Sequence, residues 1–134
     1  MKKMVAALLM SLMLMMSSVC MAGEDTMHFV DANGSTGYYV DVASLGFEGN
    51  SVVNARIAVK KAAMNRMFLY TMQFDTGKKT YRILESQVLE YDSKKVLEST
   101  GGAEKPRAYG DRSPMNSIVQ YIYDWKNGKI KRID

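Results

Sequence analysis

Few side chains in this sequence could do chemistry, and their spacing narrows what that chemistry could be. His28 is the sole histidine among 134 residues. One imidazole cannot build a histidine-based metal site, and a nucleophilic triad needs a serine and an acid held beside it. In the run Met27-His28-Phe29-Val30 a lone histidine reads as an edge or surface residue of a short strand. Aspartates and glutamates are scattered, and no two are spaced to pair carboxylates on one helix face. Gly101-Gly102 lacks the Lys-Ser/Thr that follows a phosphate-binding glycine loop, so it reads as a flexible connection. No catalytic constellation emerges, and no cofactor or metal is expected. The expectation is a protein that is not an enzyme.

One arrangement rises above that background. Lys60-Lys61, Lys78-Lys79 and Lys94-Lys95 are three lysine pairs, each at an expected turn. Lysines at turns ordinarily keep a sheet soluble and blunt its edges. In a meander, alternate turns fall at the same end of the sheet. Lys60, Lys61, Arg66, Lys94 and Lys95 are then expected to form one basic rim, diluted by Asp92, with Lys78 and Lys79 at the opposite end. Such a rim attracts polyanions through a field that salt screens over about 8 Å.

The elements that must position these residues are legible from hydrophobic period. His28–Val30 is a short strand candidate, and Asp31–Gly37 is turn chemistry in which Asn33-Gly34 suits the positive-φ positions of a hairpin. Tyr38–Val42 is a second strand, with Tyr38, Val40 and Val42 on one face, and Ala43–Asn50 reads as a connector holding Gly46 and Gly49. Val52–Val59 alternates cleanly, as does Met67–Phe74. Thr80–Tyr91 changes phase partway, which predicts a bulge near Glu85–Gln87. Val96–Ser99 is a last strand and Thr100–Arg112 a loop. Ser113-Pro114 has the chemistry of a helix start, followed by Met115, Ile118, Val119 and Ile122 at helical spacing, with Gly128 placed as a C-terminal cap. The rival for this segment is a hairpin about Asn127-Gly128. The fold class expected is α+β: an antiparallel β-sheet meander with one C-terminal α-helix packed on it.

The N-terminus does not belong to that domain. Lys2 and Lys3 precede an apolar run, Met4–Met16, broken only by Ser11, and small residues lead to Ala22. This is the layout of a secretory signal peptide, so residues 1–22 are expected to be removed and residues 23–134 to form a single domain. Losing Lys2 and Lys3 lowers the formal charge from +4 to +2, a mild value that argues against a nucleic-acid partner, as export does. The apolar run is too short to span a membrane, and no further span is expected after its removal. Cys20 is the only cysteine. Lipidation there normally needs an apolar residue three places earlier and Gly or Ala just before, where this chain has Ser17 and Val19. Cleavage past Cys20 is therefore favoured over a lipid anchor, and it leaves no thiol for a disulfide or a metal cluster.

Taken in order, the run "MHFV", then "GYYVDVASLGFEGN", "VVNARIAVKK" and "FLYTMQFDTGKKTYRILESQVLEYDSKKVLES", resembles the surface-adhesin protein E-like domain of bacterial exported proteins. "AYGDRSPMNSIVQYIYDW" is similar to that family's closing loop and helix. The likeness spans residues 27–125, and its most telling parts are Tyr38-Tyr39-Val40-Asp41 with Ser44, and Lys79-Thr80-Tyr81-Arg82. Two departures stand out. Relatives often carry Trp where this chain has Ala55, and many carry cysteines at the place of Asp75 and late in the helix. The resemblance therefore implies a helix held by apolar packing alone, without a sheet-to-helix disulfide. It implies an exported, adhesin-like binding domain in the periplasm or at the cell surface, contacting a host matrix protein, while the basic rim points to a polyanionic surface component as partner. The alternative is an envelope-accessory protein without a host ligand.

Overall fold

The computed structural model describes residues 26–130. The expected signal segment, its cleavage site and Cys20 lie outside the described residues. Seven strands form one antiparallel sheet: β1 (Met27–Asn33), β2 (Thr36–Glu48), β3 (Val52–Lys61), β4 (Arg66–Asp75), β5 (Thr80–Glu90), β6 (Val96–Gly101) and β7 (Arg107–Ala108). The first six follow one another in meander order, and β7 pairs with the start of β5 through Thr80↔Ala108 and Tyr81↔Arg107. Helix α1 (Pro114–Lys126) closes the fold by packing on β1 and β2. The α+β meander with a single C-terminal helix is thus the observed architecture.

Period-2 alternation explains why the core sits on one face. Val53, Ala55, Ile57 and Val59 of β3 all point to the helix side, together with Val40 of β2 and Met72 and Phe74 of β4. Met115, Ile118, Val119 and Ile122 meet them from α1. Ile57, Phe74, Ile118 and Ile122 are completely buried, each contributing about 1.5–3 kcal/mol relative to exposure. Tyr109 is also buried in this core. The reading of Thr100–Arg112 as plain loop is therefore corrected: β6 reaches Gly101, β7 crosses the segment, and Tyr109 anchors it, its N–H donating to the Lys79 carbonyl at 3.1 Å.

The helix begins as expected. The Ser113 hydroxyl accepts from the Met115 N–H at 3.2 Å and Pro114 occupies the first turn. It ends in a Schellman motif: Gly128, at φ 71°, donates to the Trp125 carbonyl and Lys129 to that of Asp124. The same Gly128 that would serve a hairpin serves here as a helix stop, and the hairpin alternative is excluded. At the β1–β2 turn it is Gly34, with φ 62°, that takes the positive-φ position, while Asn33 stays in the strand opposite Thr36.

Two further differences concern β2 and β5. Ala43–Asn50 is not a connector, because β2 continues to Glu48 through a wide bulge. Asp41 pairs with Arg56 and Gly46 with Asn54, so Val42–Leu45 stand opposite Ala55 alone. Side chains hold the bulge: the buried Asp41 carboxylate accepts from the Thr26 hydroxyl and the Ala43 N–H. The Ser44 hydroxyl donates to the Asp41 carbonyl at 2.7 Å and accepts from the Arg56 N–H at 2.8 Å. A strand that interrupts its own alternation for four residues looks like a loop in sequence. On β5 the extra residue is Leu84, between Ile83↔Met72 and Glu85↔Thr71, just ahead of the stretch in which the phase change predicts it.

Candidate functional site

The meander brings the β3–β4 and β5–β6 turns to one end of the sheet, with the β1–β2 turn beside them. The first two are joined directly by Asn65. Its backbone carbonyl accepts from the Tyr91 N–H at 3.2 Å and its side-chain carbonyl from the Asp92 N–H at 3.1 Å. Asn65 holds φ 51°, a left-handed conformation that asparagine tolerates better than most residues. It follows the 3-10 turn Ala62–Met64, whose first carbonyl accepts its N–H. Asn65 is not singled out in the sequence; the signal available is an asparagine inside the expected turn Lys60–Arg66.

The five cationic residues singled out above all stand at this end. Lys60 and Lys61 are adjacent on β3 and so project to opposite faces. The Lys60 ammonium lies 4.3 Å from the Tyr39 ring centre, and that of Lys61 lies 5.5 Å from Phe68. Arg66 donates to the Asn65 carbonyl at 3.0 Å. Lys94 folds back over the Tyr91 ring at 4.5 Å and donates to the Tyr91 carbonyl. Lys95 is exposed on the turn. Two carboxylates share the end: Asp92 in the turn, and Glu90 opposite Arg66 in the β4–β5 register. The end is thus cationic but split between faces, and Glu90 dilutes it as well as Asp92.

Lys78 and Lys79 occupy the opposite end, in the β4–β5 turn. Lys79 pairs with Asp111 at 3.0 Å, both side chains largely in water. That hydrogen bond and the Asp111 charge raise the Lys79 ammonium above its usual pKa.

His28 is on the edge strand, as its sequence position suggests, but it faces α1 and is half-buried. Its Nδ1 shares a 2.7 Å hydrogen bond with the Tyr121 hydroxyl, and its ring meets Trp125 edge-on at 4.9 Å. Nearby, the Ser117 hydroxyl donates to Asp31 at 3.2 Å. The helix is therefore tied to β1 by polar side chains as well as by apolar packing, where the missing disulfide implied packing alone. No group of three or more metal-ligating side chains occurs among the described residues, nor does any helix long and apolar enough to cross a membrane.

No family model, curated protein or solved structure matches this chain.

Proposed function

We propose that this protein is an exported, non-enzymatic binding domain, adhesin-like, that meets a polyanionic component of the envelope or of a host surface through its basic end. The observation that carries the reading is the joining of two lysine-bearing turns by Asn65, which keeps Lys94 and Lys95 in fixed relation to Lys60, Lys61 and Arg66. The signal-like N-terminus supports an exported setting, where sulfated glycans, anionic headgroups and acidic surface proteins are the polyanions to be met. The sequence likeness to the surface-adhesin protein E-like domain supports the same reading and rests on the motifs quoted above. A second reading, an envelope-accessory protein without a host ligand, draws support from Lys60, Lys61 and Lys94. Each lies over an aromatic ring, as solvated turn lysines do when their stems pack on a sheet.

Retention on a heparin column over a salt gradient tests the first reading. Three double variants carry the same change in charge: K60E/K61E, K94E/K95E and K78E/K79E. The first two are expected to elute at clearly lower salt than the third. Equal shifts for all three mean that net charge alone is at work and that the basic end is not a site.

A further inference from the structure

We propose that the sheet face turned away from the helix carries a second site, a cleft that takes a small zwitterion of amino-acid to dipeptide size. It is separate from the basic end and does not depend on it. The cleft lies over β3–β6, with a volume of about 530 Å³. That is within the 300–1,000 Å³ typical of small-ligand sites.

One row of the register builds its floor: Arg56 on β3, Thr71 on β4, Glu85 on β5 and Gly101 on β6 stand directly opposite one another in turn. Gln87 and Ser99 form the next row, joined by a 3.5 Å hydrogen bond. Three features of that first row point to a ligand. Arg56 and Glu85 are opposite charges on the same face, yet β4 lies between them. Two strand spacings put their backbones about 9.6 Å apart, too far for the pair to close upon itself without leaning across Thr71. Neither side chain has a hydrogen-bond or ion-pair partner among the described residues. The other row neighbour of Arg56, Asp41, has its carboxylate engaged by Thr26 and Ala43 inside the bulge. Finally, Gly101 stands opposite Glu85 on β6, and a Cβ built there would meet nothing within 4 Å, so the space beside Glu85 is open at this end of the row.

An arginine and a glutamate held apart with the Thr71 hydroxyl between them, and the Gln87 amide and Ser99 hydroxyl beside them, are complementary to a molecule with a carboxylate at one end and an ammonium at the other. A guanidinium binds a carboxylate through a two-pronged hydrogen bond, and a carboxylate accepts from an ammonium. An extended dipeptide is at most about 7 Å long, which leaves room for one such contact at each end of the row. Both charges are exposed, so the affinity expected is modest, about millimolar.

The test is a titration of the isotope-labelled protein with alanyl-alanine, followed by amide chemical shifts. Shifts are expected at Thr71, Glu85, Gln87 and Ser99. N-acetyl-alanyl-alanine and alanyl-alanine amide should each bind at least about fivefold more weakly, since each loses one charged contact. Arg56→Gln should abolish the preference for the free carboxylate and Glu85→Gln the preference for the free amine. Gly101→Val, a residue suited to a strand and directed into open space, should keep the fold and remove the shifts. Equal binding by free and blocked dipeptides, shifts unchanged in Gly101→Val, or no shift in this row at all would overturn the proposal.

Discussion

Tyr121 and Tyr123 lie two residues apart on α1 and differ in what their hydroxyls meet. That of Tyr121 shares a hydrogen bond with His28, whereas that of Tyr123 is buried with no partner among the described residues. An unmet hydroxyl in the interior costs about 1–3 kcal/mol, and a met one contributes about 1. Tyr123→Phe should therefore leave stability unchanged or raise it, and Tyr121→Phe should lower it by about 1 kcal/mol, read as urea midpoints. Equal losses in both would show that the hydrogen bond to His28 contributes nothing. Sequence discloses residues of this kind unevenly. Ile118 and Ile122 announce their burial by recurring at helical spacing, and Ser113 announces its cap by preceding Pro114. Tyr109 is a lone aromatic among glycines and charges, with no period to reveal that it enters the core. Asp41 looks like an ordinary outward-facing strand residue. Its burial depends on Thr26 and on a bulge that alternation cannot foretell. Arg56 and Glu85 are far apart in the chain and come into one row, two strands apart, only through register.

Among the elements, the turn at Asn65 does more than reverse the chain, because it binds the next turn at its end of the sheet. Asn65→Gly keeps the left-handed conformation and removes the side-chain acceptor for Asp92, at a cost of about 1 kcal/mol. Asn65→Ala adds backbone strain and should cost about 2 kcal/mol or more in the same denaturation experiment. If the two variants were equally stable, the conformation at this position would be unimportant. The strands themselves were readable because β3 and β4 have one dry face, which forces alternation over their whole length. β2 is readable only as far as Val42, one residue past the last regular pair at Asp41. After Asp41, Val42–Leu45 crowd opposite Ala55, a small side chain, and the run loses its period while remaining sheet. The lysine pairs were readable as turn residues, and meander order settles which end each occupies. Their facing was less visible: adjacent lysines on a strand part company across the sheet, and Lys94 is drawn back onto Tyr91.

For the whole molecule, the tyrosines set an alkaline limit. Burial raises the phenols of Tyr70, Tyr109 and Tyr121 above the usual 10.0. At Tyr70 the charge of Glu104 adds to burial, while at Tyr109 the cation of Lys79 opposes it. Above pH 10 the unfolded chain gives up phenolic protons that the folded chain keeps, so the folded state binds more protons and stability falls as pH rises. The contribution is fully present below the ordinary tyrosine pKa of about 10 and is lost through the higher folded-state values. Urea midpoints should decline above about pH 10, and less steeply in Tyr70→Phe. An unaltered slope in that variant would remove Tyr70 from the account. The docking of α1 on β1 bears on the order of assembly. Each strand of the meander needs only its chain neighbour, so the sheet can grow by successive hairpins from the amino end. The helix instead returns to the first strand, where Tyr121 meets a histidine 93 positions earlier. A chain emerging amino end first during synthesis would have its full sheet in hand, one side still wet, until α1 emerged. Ile122→Ala should then cost about 2–5 kcal/mol and hasten unfolding far more than it slows refolding. The fold is completed by α1, and any interruption before Pro114 would leave the sheet with one bare apolar side.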